Sequence, residues 1–156
     1  MKTIFLDHDG VICLPPQMGS RHLKKSKFNL QDSTQVLPIQ YRLDDFDKGA
    51  VQILNQILKE TGAEIVVTST WRLLSTVDEM REYYAQQGII KIPIGFTPNL
   101  HNRTLEIETY LSENPNITNW VAVDDDRLNV ENFVLTNFKT GLTESGIKEK
   151  IIKFLK

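Results

Sequence analysis

The chain reads as a three-layer α/β/α domain built on a doubly wound parallel sheet. Two features of its 156 residues carry that reading. Short apolar runs, 3-TIFL-6, 64-EIVV-67, the weaker 92-IPIGF-96, 120-WVAV-123 and 133-FVLT-136, are mostly apolar at successive positions rather than alternating, as in strands covered on both faces. Between them lie longer stretches with apolar residues at helical spacing. Strand and helix in alternation, joined by right-handed crossovers, give this architecture.

The first run ends in Asp7-His8-Asp9-Gly10. The stretch from Cys13 to about Asp44 then breaks the rhythm, with three of the six prolines and no sustained period. It is too long for an ordinary strand-to-helix connection. It leaves from the carboxyl end of the first strand, where ligands sit in open α/β folds, so residues 13–44 read as a cap-like loop or small hairpin over a site. The first helix, 47–62, carries Val51, Leu54, Ile57 and Leu58 on one stripe, with Gly62 placed to stop it. The next, 76–88, has Thr76 as N-cap, Glu79 three residues on and Gly88 at its end. A third runs from about Arg103 to Ser112 with Leu105, Ile107, Tyr110 and Leu111 as its apolar set, and 147–156 closes the chain. No repeat, low-complexity tract or second domain interrupts this order, so 1–156 reads as one domain.

Composition narrows the function classes. A hydrophobic share of 40% and a charged share of 24% are those of a soluble globular protein. The net charge of −2 gives no overall attraction to nucleic acid or an anionic membrane. A local patch, 21-RHLKKSK-27, places Arg21, Lys24, Lys25 and Lys27 in the insert without an acid among them, with Phe28 and Tyr41 as the nearby aromatics. Over a site, it would draw in a polyanion. The single Cys13 excludes an intrachain disulfide and suits a reducing compartment. No run approaches the roughly 18–20 apolar residues of a membrane span, and the first residues are too short and acidic for a leader. A cytoplasmic location is expected.

The acids carry the chemistry. Asp7 and Asp9 crowd the end of an apolar strand, where like charge and burial both penalise ionisation. The second strand ends 66-VVTSTWR-72 and the fourth ends 121-VAVDDDRLN-129. In a parallel sheet these ends share one edge, so Asp7, Asp9, Thr68, Ser69, Asp124 and Asp125 converge there. Four carboxylates in one crevice call for a cation, and an all-oxygen donor set points to Mg2+. Arg72, beside Trp71, is placed either to reach a substrate phosphate or to pack on the indole. His8 should point away from its two neighbours and serve as packing.

The motif Asp7-His8-Asp9-Gly10-Val11 resembles the first motif, DxDG[TV], of the haloacid dehalogenase (HAD) superfamily. E-I-V-V-Thr68 resembles its second motif and V-A-V-Asp124-Asp125 its acidic fourth. The "WR" after the second motif and the run 97-TPNLHNRTLEIETYL-111 resemble a small HAD subgroup associated with nucleic-acid repair proteins. The resemblance implies a HAD-like Rossmannoid fold and a phosphatase acting through an aspartyl-phosphate. Asp7 would be the nucleophile and Asp9 the general acid and base. Thr68 would bind a phosphoryl oxygen, with Ser69, Arg72, Lys24 and Lys25 toward substrate. Mg2+ would be held by Asp7, the main-chain carbonyl of Asp9 and Asp125, with Asp124 as ligand or behind it. The family's third motif usually supplies a lysine; here Arg103 is the best-placed cation and Lys91 the alternative. The implied substrates are phosphorylated small molecules or nucleic-acid ends. The competing classes are a receiver-like signalling module and a non-catalytic HAD-like binding domain. The order of the acidic pairs argues against the first, and the presence of both Asp7 and Asp9 against the second.

Overall fold

A computed structural model of the chain describes residues 1–28 and 36–156. Its strands β1 (Lys2–Leu6), β2 (Glu64–Val67), β3 (Gly95–Phe96), β4 (Asn119–Asp124) and β5 (Phe133–Leu135) form one sheet, all parallel, in the order β3-β2-β1-β4-β5. Among the described residues five α-helices accompany it: α1 (Ser20–Ser26), α2 (Lys48–Thr61), α3 (Val77–Gln86), α4 (Arg103–Glu113) and α5 (Ile147–Leu155).

The unbroken apolar runs are explained by burial on both sides of the sheet. Ile4 lies opposite Ile65 and Val121, and these residues, with Leu6, Val67 and Val123, face a core built with α2, α3 and α5. The intervening Phe5, Val66 and Ala122 face a smaller core with Ile107 of α4. Two helix starts follow the sequence closely. Asp47 caps α2 and Thr76 forms a reciprocal capping box with Glu79 on α3.

Among the described residues the second layer holds one helix only. The β4–β5 connection is too short for another, so its Leu128 and Val130, with Ile94, Ile117 and Trp120, complete the cover over Phe5.

Three local expectations change. The third strand shrinks to two residues, because Pro93 offers no amide and the carbonyls of Pro93 and Ile94 accept from the Arg81 guanidinium at 2.9 and 3.1 Å. Leu105 is exposed, and Glu106 takes the buried position beside Ile107 on α4. The insert is helical rather than a hairpin: single 3-10 turns at Pro15–Gln17 and Ile39–Tyr41 flank α1, and residues 29–35 lie outside the described residues. Its two ends are tied together. The Asp44 carboxylate accepts from the Gly19 and Arg21 amides and from the Arg21 guanidinium, each at 3.0 Å.

Phe5 anchors the smaller core, edge-on to both Tyr110 and Trp120 at 5.7 and 5.9 Å. Phe5→Ala should cost about 3–5 kcal/mol in urea unfolding. A loss below about 1 kcal/mol would mean that the smaller core contributes little.

Candidate active site

The strand order reverses between β1 and β4, and the ends of these two strands open the crevice that ligands use in such sheets. Asp7 follows β1 and Asp124 closes β4, joined by a hydrogen bond from the Asp7 amide to the Val123 carbonyl at 3.1 Å. The chain then turns sharply, with the His8 carbonyl accepting from the amides of Val11, Ile12 and Cys13. Gly10 is required twice over. Its φ is 76°, and a Cβ built there would stand 2.5 Å from an Asp125 carboxylate oxygen.

The carboxylates of Asp7, Asp124 and Asp125 each bring an oxygen within 4.8 Å of the others. One cation answers them inside the crevice. Arg103, the first residue of α4, reaches Asp124 at 2.7 Å and Asp7 at 3.3 Å. Burial, aided by the charge of Asp124, pushes the Asp7 carboxyl well above the usual carboxylate range, against the pull of Arg103. Burial and the same neighbour also raise Asp125. Three crowded carboxylates with one guanidinium fit a hard divalent cation such as Mg2+, whose preferred donors are oxygens.

The Asp9 carboxylate stands apart from that group and accepts from the Trp71 indole N–H at 3.2 Å. Trp71 is itself fixed, stacked on Phe46 at 5.5 Å and edge-on to His8 at 4.7 Å. His8 is fully buried and turned away from the acids, its Nε2 at 2.7 Å from the Tyr84 hydroxyl. Burial, with Arg103 adding to it, pushes its pKa down to about 3, so the ring is neutral. Thr68 lies buried directly beyond β2, and Ser69 caps the 3-10 turn at Thr70–Leu74, its hydroxyl oxygen accepting from the Trp71 amide.

Arg72 does neither thing the sequence suggested. Nε donates to the Thr97 carbonyl, Nη1 to Thr68 and Ser69, and Nη2 to Pro98 and, at 2.7 Å, to Glu106. With all five N–H groups turned inward, it has none left for a substrate phosphate. Glu106 also accepts from the Leu100 amide at 2.8 Å. This buried pair clamps the end of β2, the loop after β3 and the start of α4, which carries Arg103. Sequence reading missed Glu106, since an acid in a first helical turn normally signals only a favourable dipole contact. A polar residue adjoining the apolar set of that helix is the one available signal.

The two lysines of the insert diverge. Lys24 turns to Asp45 at 2.9 Å and the Tyr83 hydroxyl at 3.2 Å, away from the crevice. Lys25 lines a cleft that also contains Asp9. Lys91 pairs with Glu64 at 2.9 Å and donates to the Gly62 carbonyl, at the opposite edge of the sheet from Asp7, so Arg103 is the cation in the crevice.

A family model described as the HAD domain in Swiss Army Knife RNA repair proteins matches residues 3–147. No curated protein and no solved structure matches the chain. Among the described residues no helix is long and apolar enough to cross a membrane.

Glu106→Gln should cost about 3–5 kcal/mol in denaturant unfolding, because it strands the buried Arg72 charge. A change within about 0.5 kcal/mol would mark Arg72 as a mere surface-type contact. A second expectation concerns the metal-free protein. With the folded Asp7 pKa raised above the unfolded value of about 3.9, the folded state binds the extra proton, so this group's contribution to stability falls as pH climbs through that interval. Asp7→Asn removes the penalty, and in EDTA at pH 7 the variant should melt above the wild type. An equal or lower Tm would show that Asp7 carries no such burden.

Proposed function

The chain belongs to the family of HAD domains in Swiss Army Knife RNA repair proteins, and on that premise we propose that it is a Mg2+-dependent phosphomonoester hydrolase working through an aspartyl-phosphate on Asp7. The observation that carries this reading is the division of labour between the two crowded aspartates. Asp7 faces Arg103 and the acidic group, while Asp9 is held out of that group by Trp71. Neighbouring carboxylates in such different surroundings suit one for nucleophilic attack and the other for proton transfer.

In the first step an Asp7 oxygen attacks phosphorus as the ester P–O bond breaks. Asp9 gives its proton to the departing oxygen. The acyl phosphate on Asp7 is then opened by water, whose proton returns to Asp9, restoring both side chains and releasing inorganic phosphate. Thr68 donates its hydroxyl to a phosphoryl oxygen. Arg103 lies beside Asp7 and balances negative charge, which is the main task in phosphoryl transfer. Asp7, Asp125 and the main-chain carbonyl of Asp9 would hold Mg2+, with Asp124 beside them. Bound Mg2+ supplies positive charge that offsets repulsion between the phosphoryl oxygens and the attacking carboxylate. The family description mentions RNA repair, and nucleotides or phosphorylated nucleic-acid ends are the substrates to try first.

The deciding experiment is phosphate release from p-nitrophenyl phosphate by wild type and Asp7→Asn, with Mg2+ and with EDTA. Activity should require the metal and fall at least about a thousandfold in the variant, about 4 kcal/mol of transition-state stabilisation. A folded, Mg2+-loaded wild type without activity on this ester or on any nucleotide would defeat the proposal.

A further inference from the structure

We propose that the cleft between α1 and the 3-10 turn at Thr70–Leu74 receives the substrate's leaving group, and that this group is a nucleoside bearing a second phosphate. The inference rests on the phosphatase reading and deepens it by assigning a place and a chemistry to the half of the substrate that departs.

The first argument is position. Asp9 must lie within hydrogen-bond reach of the departing oxygen, so the body of the leaving group occupies the space that Asp9 borders. The cleft of about 520 Å3 is that space. Its volume falls in the range that takes one small ligand. The neighbouring cleft of about 300 Å3, across Thr70, is bordered by Arg103 and Asp126 and lies on the phosphoryl side instead.

The second argument is chemistry. Trp71, Leu74, Leu37 and Tyr41 supply flat and apolar wall, of the kind that accepts a base or sugar. Around it stand Arg21, Lys25 and Arg42, with His22, and among the described residues Asp9 is the only acid in the lining. Two of these cations are fixed from behind, Arg21 by Asp44 at 3.0 Å and Arg42 by Glu79. Lys25 has no carboxylate partner among the described residues, whereas its neighbour Lys24 is spent on Asp45. A neutral alcohol or sugar leaving group would offer nothing to Lys25 and add nothing to the half-satisfied charge of Arg21 and Arg42. A nucleoside with a further phosphate matches both halves of the cleft. The same chemistry occurs in a free nucleoside bisphosphate and at the phosphorylated end of a strand.

The test compares kcat/KM, with Mg2+, for adenosine 3′,5′-bisphosphate, both adenosine monophosphates and a 3′-phosphorylated dinucleotide. A second phosphate should raise kcat/KM at least about tenfold over the better monophosphate. A matching gain for the dinucleotide identifies a strand end as the source, and a gain confined to the bisphosphate identifies the free nucleotide. Lys25→Glu should bring the ratio of bisphosphate to monophosphate to within about twofold of one. A wild-type ratio near one, or a ratio that Lys25→Glu leaves unchanged, overturns the assignment even if the enzyme is an active phosphatase. Should no ester be hydrolysed, calorimetric titration of Mg2+-loaded wild type with adenosine 3′,5′-bisphosphate still decides it. Binding that weakens about tenfold in Lys25→Glu supports the cleft, and absence of binding overturns it.

Discussion

Three carboxylates confined within 4.8 Å, with one guanidinium among them, are the constraint on which the rest of this structure is arranged. Left alone, such a group would protonate or spread apart. Spreading is prevented from several sides. Gly10 clears the space that Asp125 fills, and the Gly10 carbonyl is held by the Thr136 hydroxyl at 2.7 Å. The Asp126 amide fixes an Asp124 oxygen at 2.9 Å. The backbone thus holds an electrostatic arrangement that the side chains would not choose, and the stability forgone here is supplied by the two cores on either side of the sheet.

Arg103 can answer these charges only if α4 begins in the right place, and the Arg72–Glu106 pair sets that place. Replacing such a pair with apolar residues often stabilises a protein, so its presence needs a reason other than stability. The guanidinium reads five backbone and side-chain acceptors from three segments that are distant in sequence. An apolar pair of equal volume could fill the space but could not fix the register of those segments. We read the pair as trading some stability for position. Trp71 does comparable work next door: a packed indole gives Asp9 a fixed donor.

Much of this was legible in the chain. The five runs became strands because burial on both faces leaves a signal in consecutive residues, and Thr76 announced its helix through local hydrogen bonding. The convergence of Asp7, Asp124 and Asp125 followed from parallel strands sharing an edge, whereas Arg103, on a helix, was suggested by the resemblance to the family's third motif. What could not be read were pairings over long separations. Arg72 and Glu106 lie 34 residues apart, and nothing local to either specifies the other. The same holds for Lys24 and Lys25, adjacent in sequence and alike in chemistry, whose roles separate only because α1 turns one toward Asp45 and the other toward the cleft. The course of 13–44 was obscured for another reason: its helix has seven residues, fewer than a periodic pattern needs to stand out.

The closure of that insert on Asp44 has a consequence for how such a domain can diversify. Gly19 and Arg21 meet a carboxylate more than twenty residues further on, so the intervening chain begins and ends at one fixed point. Closing a loop costs only a logarithm of its length. Residues between those two anchors, apart from Ile39 and Leu43, which are buried in the core, can therefore be exchanged for those of a relative with little effect on the sheet or on the acids beneath. The domain is in this sense built as a socket: on the proposed function the reaction stays with the strands, and selectivity rides on a replaceable segment.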